Sequence, residues 1–363
     1  MLQRKFLGAS ALLVAAGMVH ASPNTPALTL EQPIYVAETS DVNPMMYLLN
    51  QAGIGQTLTD NGITVGGHVQ VGVTYNFDRP DSQINVGRVF DFEDQDPTFH
   101  QAVVYFDRAV AYSAEEFNLG GRIEWMWGGD ARLIHANGIM SNGQGNDEEF
   151  DPTQFYVEMN LPVGDGLKVK AGKFVTTVGY EYIDPTQNAL YSHSFLFGYA
   201  IPFTHLGVLV SYQFSPEFEG HIGINRGWDQ GFRDNNDAFS YMLGGSYILD
   251  EQTTVYFHFV TGPEQADNSS DWRSLLDVSI EHAASDELTL AVNVNAAYES
   301  DAAIDGGSAI WWGVAVYASY IVDPMFTVNT RLEYFNDDDG ARGFDSGLVG
   351  ATLGVAITPA SRS

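Results

Sequence analysis

From Ile63 onward the chain keeps a period of two. Val69, Val71, Val73, Tyr75 and Phe77 fall on one face of an extended segment; His68, Gln70, Gly72, Thr74 and Asn76 fall on the other. The alternation returns at 101–112, 117–127, 154–161, 167–174, 205–214, 217–225, 239–249 and 253–260. It continues at 272–282, 288–298, 310–320, 326–335 and 348–357. That makes about fourteen segments, most near the ten-residue length that crosses a membrane as a tilted strand. Short connections (113–115, 162–165, 215–216, 250–251, 285–286, 323–324) trade places with longer acidic or glycine-rich ones. Short turns at one end and long loops at the other predict an all-β, antiparallel, up-and-down transmembrane barrel of about 14 to 16 strands.

A soluble sandwich also alternates, so the pattern needs a second test. In a sandwich the apolar face is the core and the polar face meets water. In a membrane barrel the apolar face meets lipid and aromatic residues gather at its two ends. Tyr75 and Phe77, Trp125 and Trp127, Trp272, Trp311 and Trp312, and Tyr334 and Phe335 all lie near strand ends. Charges also sit deep within the strands, which a wet lumen tolerates and a dry core does not. Both features favour the barrel.

One interruption stands out. Between two alternating pieces, 166–175 and 204–213, about 28 residues show no clean period, and loops of that length usually have a function. The stretch is unusually apolar, with Tyr180, Tyr182, Tyr191, Phe195, Phe197, Tyr199 and Phe203. Of its charged residues there are only Glu181 and Asp184. A solvated loop would be polar, so this one is expected to fold into the barrel from Tyr180 to Phe203 as a constriction. Tyr180, Glu181, Tyr182, Asp184, Tyr191 and His193 would form it.

The start of the chain is a different material. Arg4 and Lys5 precede an apolar run from Phe6 to Val19, and Val19-His20-Ala21 offers small residues at cleavage spacing, so residues 1–21 read as an export signal. A run of about 14 residues is too short to span a bilayer as a helix. Residues 22–60, broken by Pro23, Pro26, Pro33 and Pro44, read as a periplasmic leader. A short helix is expected at Met45–Ala52, with Asn43 as N-cap and Gly53 as stop. The barrel then occupies 61–363. The chain carries 46 acidic against 16 basic residues, a net charge of −30, which excludes nucleic acid as a partner. It has no cysteine, which excludes disulfides, thiolate metal sites and Cys lipidation.

The candidate pore-lining residues are charges on the polar faces of strands. Arg122 and Glu124 stand two apart, as do Arg331 and Glu333. Glu158 lies among Gln154, Tyr156 and Asn160; Lys168 and Lys170 share a face; Arg273, Asp277 and Glu281 line another. Opposed rows of such charges across a narrow lumen sort solutes by charge. The bland alternative is that they pair with neighbours to keep a polar interior satisfied. The long loops are acidic at 91–96, 146–151, 233–237 and 336–340, which predicts attraction of cations to the mouth. None has the spacing of a complete calcium loop. Ser192-His193-Ser194 is the one tight Ser/His group, but adjacent residues of an extended chain point apart, so no catalytic role is assigned. No cofactor or metal motif is present.

The motifs GKFVTTVGYE (172–181), YSHSFLFGYAIPFTHLGV (191–208), INRGWD (224–229) and RLEYFNDDDGAR (331–342) give the chain its family character. In them, and in the leader-plus-first-strand pattern of 45–76, it resembles the OmpL-like β-barrel porins over most of its mature length. The resemblance implies an outer-membrane pore for passive diffusion of small hydrophilic solutes or ions. Its implied partners are outer-membrane lipid, those solutes, the barrel-assembly machinery and further copies of the chain. The alternatives are a non-conducting structural or adhesive barrel and, less favoured, a barrel hydrolase. Such barrels are expected to finish on an aromatic residue, whereas this sequence finishes on Thr358-Pro359-Ala360-Ser361-Arg362-Ser363, so a final hairpin is expected to be missing. Two unpaired edges would be costly in lipid.

Overall fold

The computed structural model describes residues 43–140 and 147–359. The expected export signal, the leader as far as residue 42 and the last four residues lie outside them, as does the start of the acidic 146–151 loop. The chain first forms two short helices, α1 (Pro44–Gln51) and α2 (Gly55–Asp60). Asn43 caps α1 by accepting from the Met45 and Met46 amides, and Pro44 loses nothing at a position whose N–H would go unused. The sequence reading contained no counterpart of α2.

Fourteen strands follow: β1 (Thr64–Val73), β2 (Pro97–Arg108), β3 (Asn118–Gly128), β4 (Glu149–Leu161), β5 (Leu167–Val175), β6 (Thr204–Ser215) and β7 (Phe218–Asn225). The second half comprises β8 (Ser240–Asp250), β9 (Thr253–Pro263), β10 (Trp272–Ala283), β11 (Leu288–Glu299), β12 (Ala309–Ile321), β13 (Phe326–Asp337) and β14 (Ser346–Ile357). They form one antiparallel sheet in strict chain order, each strand pairing with the next. Among the described residues no ladder joins β14 back to β1, so the sheet has two edges.

Several boundaries differ from the sequence reading, and at three of them a pairing partner or bulge gives the reason. β1 stops at Val73 rather than Phe77 because Val73 faces Pro97, which has no N–H to continue the ladder. β2 ends at Arg108 rather than Tyr112 because its partner begins at Thr64, opposite Asp107. β4 starts at Glu149, upstream of Pro152. The proline is accommodated where the register shifts between Glu124 and Met126, a bulge that needs no donor there.

The short turns share one device, a hydroxyl or carboxylate that accepts backbone N–H groups where the ladder stops. Ser113 accepts from Glu116, Ser215 from Glu217, Asp250 from Gln252, Ser285 from Leu288 and Asp323 from Met325. One glycine is also required: Gly164 has φ +61, and a Cβ there would meet the Tyr212 hydroxyl.

The two faces differ as an outer-membrane barrel requires. Val69, Val71, Leu243, Leu276, Val294, Leu332 and Leu353 are exposed on one face. The other buries His100, Gln101, Lys168, His221, His258, Asp277, Asn293, Asn295 and Arg331. The aromatic reading needs one correction. Trp127, Trp272 and Trp312 are outward and exposed, but Trp311 and Phe335 are fully buried on the inner side. Strand parity forces this, because neighbours in a regular ladder point to opposite faces; His100 and Gln101 are both buried where the β1–β2 register shifts.

Candidate functional site

The segment 176–203 lies on the concave, polar side of the sheet and touches strands from both of its ends. Its neck is closed by the Thr176 amide donating to the Phe203 carbonyl at 2.8 Å. Asp229, in the β7–β8 loop, braces the return by accepting from the Phe203 and Thr204 amides at 3.0 and 2.8 Å. The Gly179 amide donates to Asp277 of β10, and Tyr180 donates to Glu281 while its ring packs on Tyr317 of β12. The chain then crosses to the first strands. Gln101 of β2 donates to the Ile183 carbonyl, Asp184 lies 3.5 Å from His68 of β1, and Tyr191 meets His100. Asp184 also caps a 3-10 turn at Pro185–Gln187 through the Thr186 amide. Leu190 packs over Gly354 of β14, and Tyr191 over Gly72 of β1. A π-helical turn, Leu196–Ala200, brings the segment back past Gly313 and Trp311, whose indole donates to the Ala200 carbonyl.

Arg331 is the main anchor, with no exposed side-chain surface. Its guanidinium donates to Glu181 at 2.7 Å, to Glu333 at 3.0 Å and to the carbonyls of Ser192 and His193 at 2.5 and 2.9 Å. Both carboxylates also accept from the segment's backbone, Glu181 from Ser194 and Glu333 from Phe195, each at 2.6 Å. Burial pushes the Glu181 carboxyl up, but Arg331 outweighs it and holds the group below the usual carboxylate range. Asp184 is likewise low: His68 and the Thr186 contacts outweigh its burial. His193 packs against Phe90 and Phe197, with Nε2 facing the Tyr182 carbonyl, while the Ser192 hydroxyl faces Arg331. The two side chains are thus directed to different partners.

The remaining expected pore-lining charges pair locally rather than forming opposed rows. Arg122 binds Glu124 at 2.6 Å and stacks on Tyr105. Lys170 lies 3.8 Å from Glu158 and over the Tyr156 ring; Lys168 lies over Tyr112. Arg273, Asp277 and Glu281 share a strand face but not a partner. Arg273 binds Glu299 at 2.8 Å and stacks on Trp228, Asp277 accepts from Asn293 and Gly179, and Glu281 accepts from Tyr180. Glu299 was missed because only the β10–β11 register sets it opposite Arg273. The acidic loops are also less free than their composition suggests. Asp94 accepts from Asn76, Asp151 pairs with Lys173 at 2.9 Å, and Asp337 accepts from Arg342 and Phe344.

Three groups outside the strands' spans or at their outer ends set a pH dependence. Burial raises Asp229 to about 6 and Glu264, which accepts from Trp228 and Ser240, to about 7. His135 is raised by its hydrogen bond to Asp151, together with that to Glu149. All three hold a proton more tightly folded than unfolded. Their stabilisation is complete below the unfolded values and is lost as pH rises through the raised ones. Glu181 and Asp184 act oppositely, but only below the usual carboxylate range. Thermal stability should therefore fall from pH 5 to pH 8, by about 1–3 kcal/mol for Asp229. Gel-shift melting at the two pH values measures it, and Asp229→Asn should flatten the difference.

The family described as "Putative beta-barrel porin-2, OmpL-like" matches residues 62–362. Among solved structures, the outer membrane channel DcaP of Acinetobacter baumannii is similar, with a TM-score of 0.52 and 11% identity over 82% of this chain and 87% of that one. OprB of Pseudomonas putida has a TM-score of 0.41 and 12% identity over 85% and 97% of the two chains. The first of these likenesses shows the shared fold alone. No curated protein matches the chain.

Proposed function

The chain belongs to the OmpL-like β-barrel porin-2 family, and on that premise we propose a passive pore for small hydrophilic solutes or ions, lined by the strand charges and narrowed by the 176–203 segment. Its place as a family member is the bacterial outer membrane. Family membership favours a channel over an enzyme.

The observation that best supports the narrowing is the set of anchors of 176–203. One segment bonds to the neighbours β1 and β2 and also to β10 and β13, which stand far from them in the sheet order. A segment held at so many points is a fixed obstacle, and its remaining clearance sets what passes. Because the charges beside it are largely paired, the selectivity expected is for size and polarity first, with a weak preference for cations from the acidic excess.

Single-channel recording in planar bilayers tests this. The intact chain should give steady ohmic steps, and deletion of 182–192 should enlarge them severalfold. Reversal potentials in a salt gradient should show weak cation preference, and clear anion preference would contradict the charge reading. A correctly folded barrel that never conducts would shift the assignment to a structural or adhesive role.

A further inference from the structure

Across the middle of the polar face the register sets Ser211, His221, Gly244, His258 and Asp277 in one row, one residue from each of β6 to β10. The two histidines are separated by the strand that carries Gly244. Having no side chain there lets both rings fold over the backbone: a Cβ on Gly244 would stand 2.6 Å from the His258 ring and 2.7 Å from that of His221. The ring centroids are 5.5 Å apart and tilted by 32°. Each residue is only 3% exposed, yet among the described residues both ring nitrogens of His221 and Nδ1 of His258 have no hydrogen-bond partner.

A neutral imidazole offers one donor and one acceptor, and burying either unpaired is costly. Each neutral ring has one nitrogen lone pair to give, so a ligand that accepts one lone pair from each ring would partner one nitrogen of His221 and one of His258. The charges on this part of the polar face are of both signs, and Lys168 stands in the same row as Ser211 and His221. Glu219 lies two residues from His221, Asp277 stands beside His258, and Glu281 and Glu158 share the same polar face, against Lys168 and Lys170 from β5. Lys170 is already drawn to Glu158 at 3.8 Å.

We propose that His221 and His258 hold a transition-metal cation of the Zn²⁺, Ni²⁺ or Cu²⁺ class, which prefers imidazole nitrogen, rather than Mg²⁺ or Ca²⁺, which prefer oxygen. No group of three or more His, Asp or Glu placed to hold a metal occurs among the described residues. The pair thus fills two coordination positions, and water or oxygen atoms of a solute fill the rest. Two ligands with open positions make an exchangeable site, suited to a cation in transit rather than to a structural metal. The site itself depends only on the pair; the view that its cation is in transit rests on the pore reading above.

The test is calorimetric titration of the full chain in detergent with zinc chloride, folding being checked by heat-modifiable gel mobility. The intact chain should bind zinc at a site that millimolar Mg²⁺ does not compete for. His221→Ala and His258→Ala should each weaken binding about tenfold or more, since even loss of an outer contact to a metal ligand costs that much. Gly244→Ala keeps both imidazoles but drives them apart, so it should weaken binding with the barrel still folded. Copper paramagnetic resonance should show two nitrogen ligands that fall to one in either histidine variant. No zinc binding by the intact chain would overturn the proposal, as would unchanged affinity in the variants. Binding lost only on His135→Gln, at the outer His135–Glu149–Asp151 cluster, would overturn it too. A chain that binds zinc through the pair but never conducts keeps the site and removes the pore.

Discussion

Arg331→Ala should detach the 176–203 segment from β13 and give larger, noisier single-channel steps. The alanine removes the cation from two carboxylates, Glu181 and Glu333, whose side chains are 7% and 1% exposed. Breaking one partner of a buried ion pair costs about 3–5 kcal/mol, because the charge left behind has no water to replace it. Here two such charges are left, and the carbonyls of Ser192 and His193 lose their donor as well. The carboxylates can recover water only if the segment moves away from the wall. Neutralising both, in Arg331→Met with Glu181→Gln and Glu333→Gln, should recover much of the stability, because a fully apolar or neutral set has no orphaned charge. Thermal melts and bilayer recordings on the two variants measure both effects. Equal conductance noise in Arg331→Ala and the intact chain would contradict the anchoring role.

The second large effect comes from a single step along β10. Leu276 is outward, 52% exposed, near the middle of the strand, whereas Leu275 beside it is buried on the inner side at 1%. Leu276→Arg places a charge against the lipid midplane and should cost about 2–4 kcal/mol of barrel stability. In a water-soluble sandwich with the same alternation, an exposed leucine could be replaced by arginine at little cost, since surface changes of that kind usually lie within about 0.5 kcal/mol. Insertion yield and urea-induced unfolding in lipid vesicles separate the two outcomes. Leu249→Arg, exposed at the turn end of β8 near the interface, should cost little by comparison.

Much of this architecture can be read from the chain because its causes are local. A strand's two faces follow from parity, so Val69 and Val71 against His68 and Gln70 already separate lipid side from polar side. Pairs two residues apart, Arg122 with Glu124 and Arg331 with Glu333, must share a face, and both form the ion pairs that spacing suggests. Parity also limits the aromatic girdle: of the neighbours Trp311 and Trp312, and of Tyr334 and Phe335, only one in each pair can face outward in a regular ladder, and Trp311 and Phe335 are the buried ones.

What tertiary structure alone decided is which distant residues meet. Arg273 finds Glu299 through a register 26 positions long, Arg331 finds Glu181 across 150, and His221 and His258 meet over a glycine of the strand between them. The sequence by itself determined the all-β class, the polar and apolar faces and the apolar character of the 176–203 segment, because each depends on the nature and order of neighbouring residues. The route of that segment, and the partners that neutralise each inner charge, depend on register and curvature. Those are set by fourteen strands pairing together, and no single strand's pattern contains them.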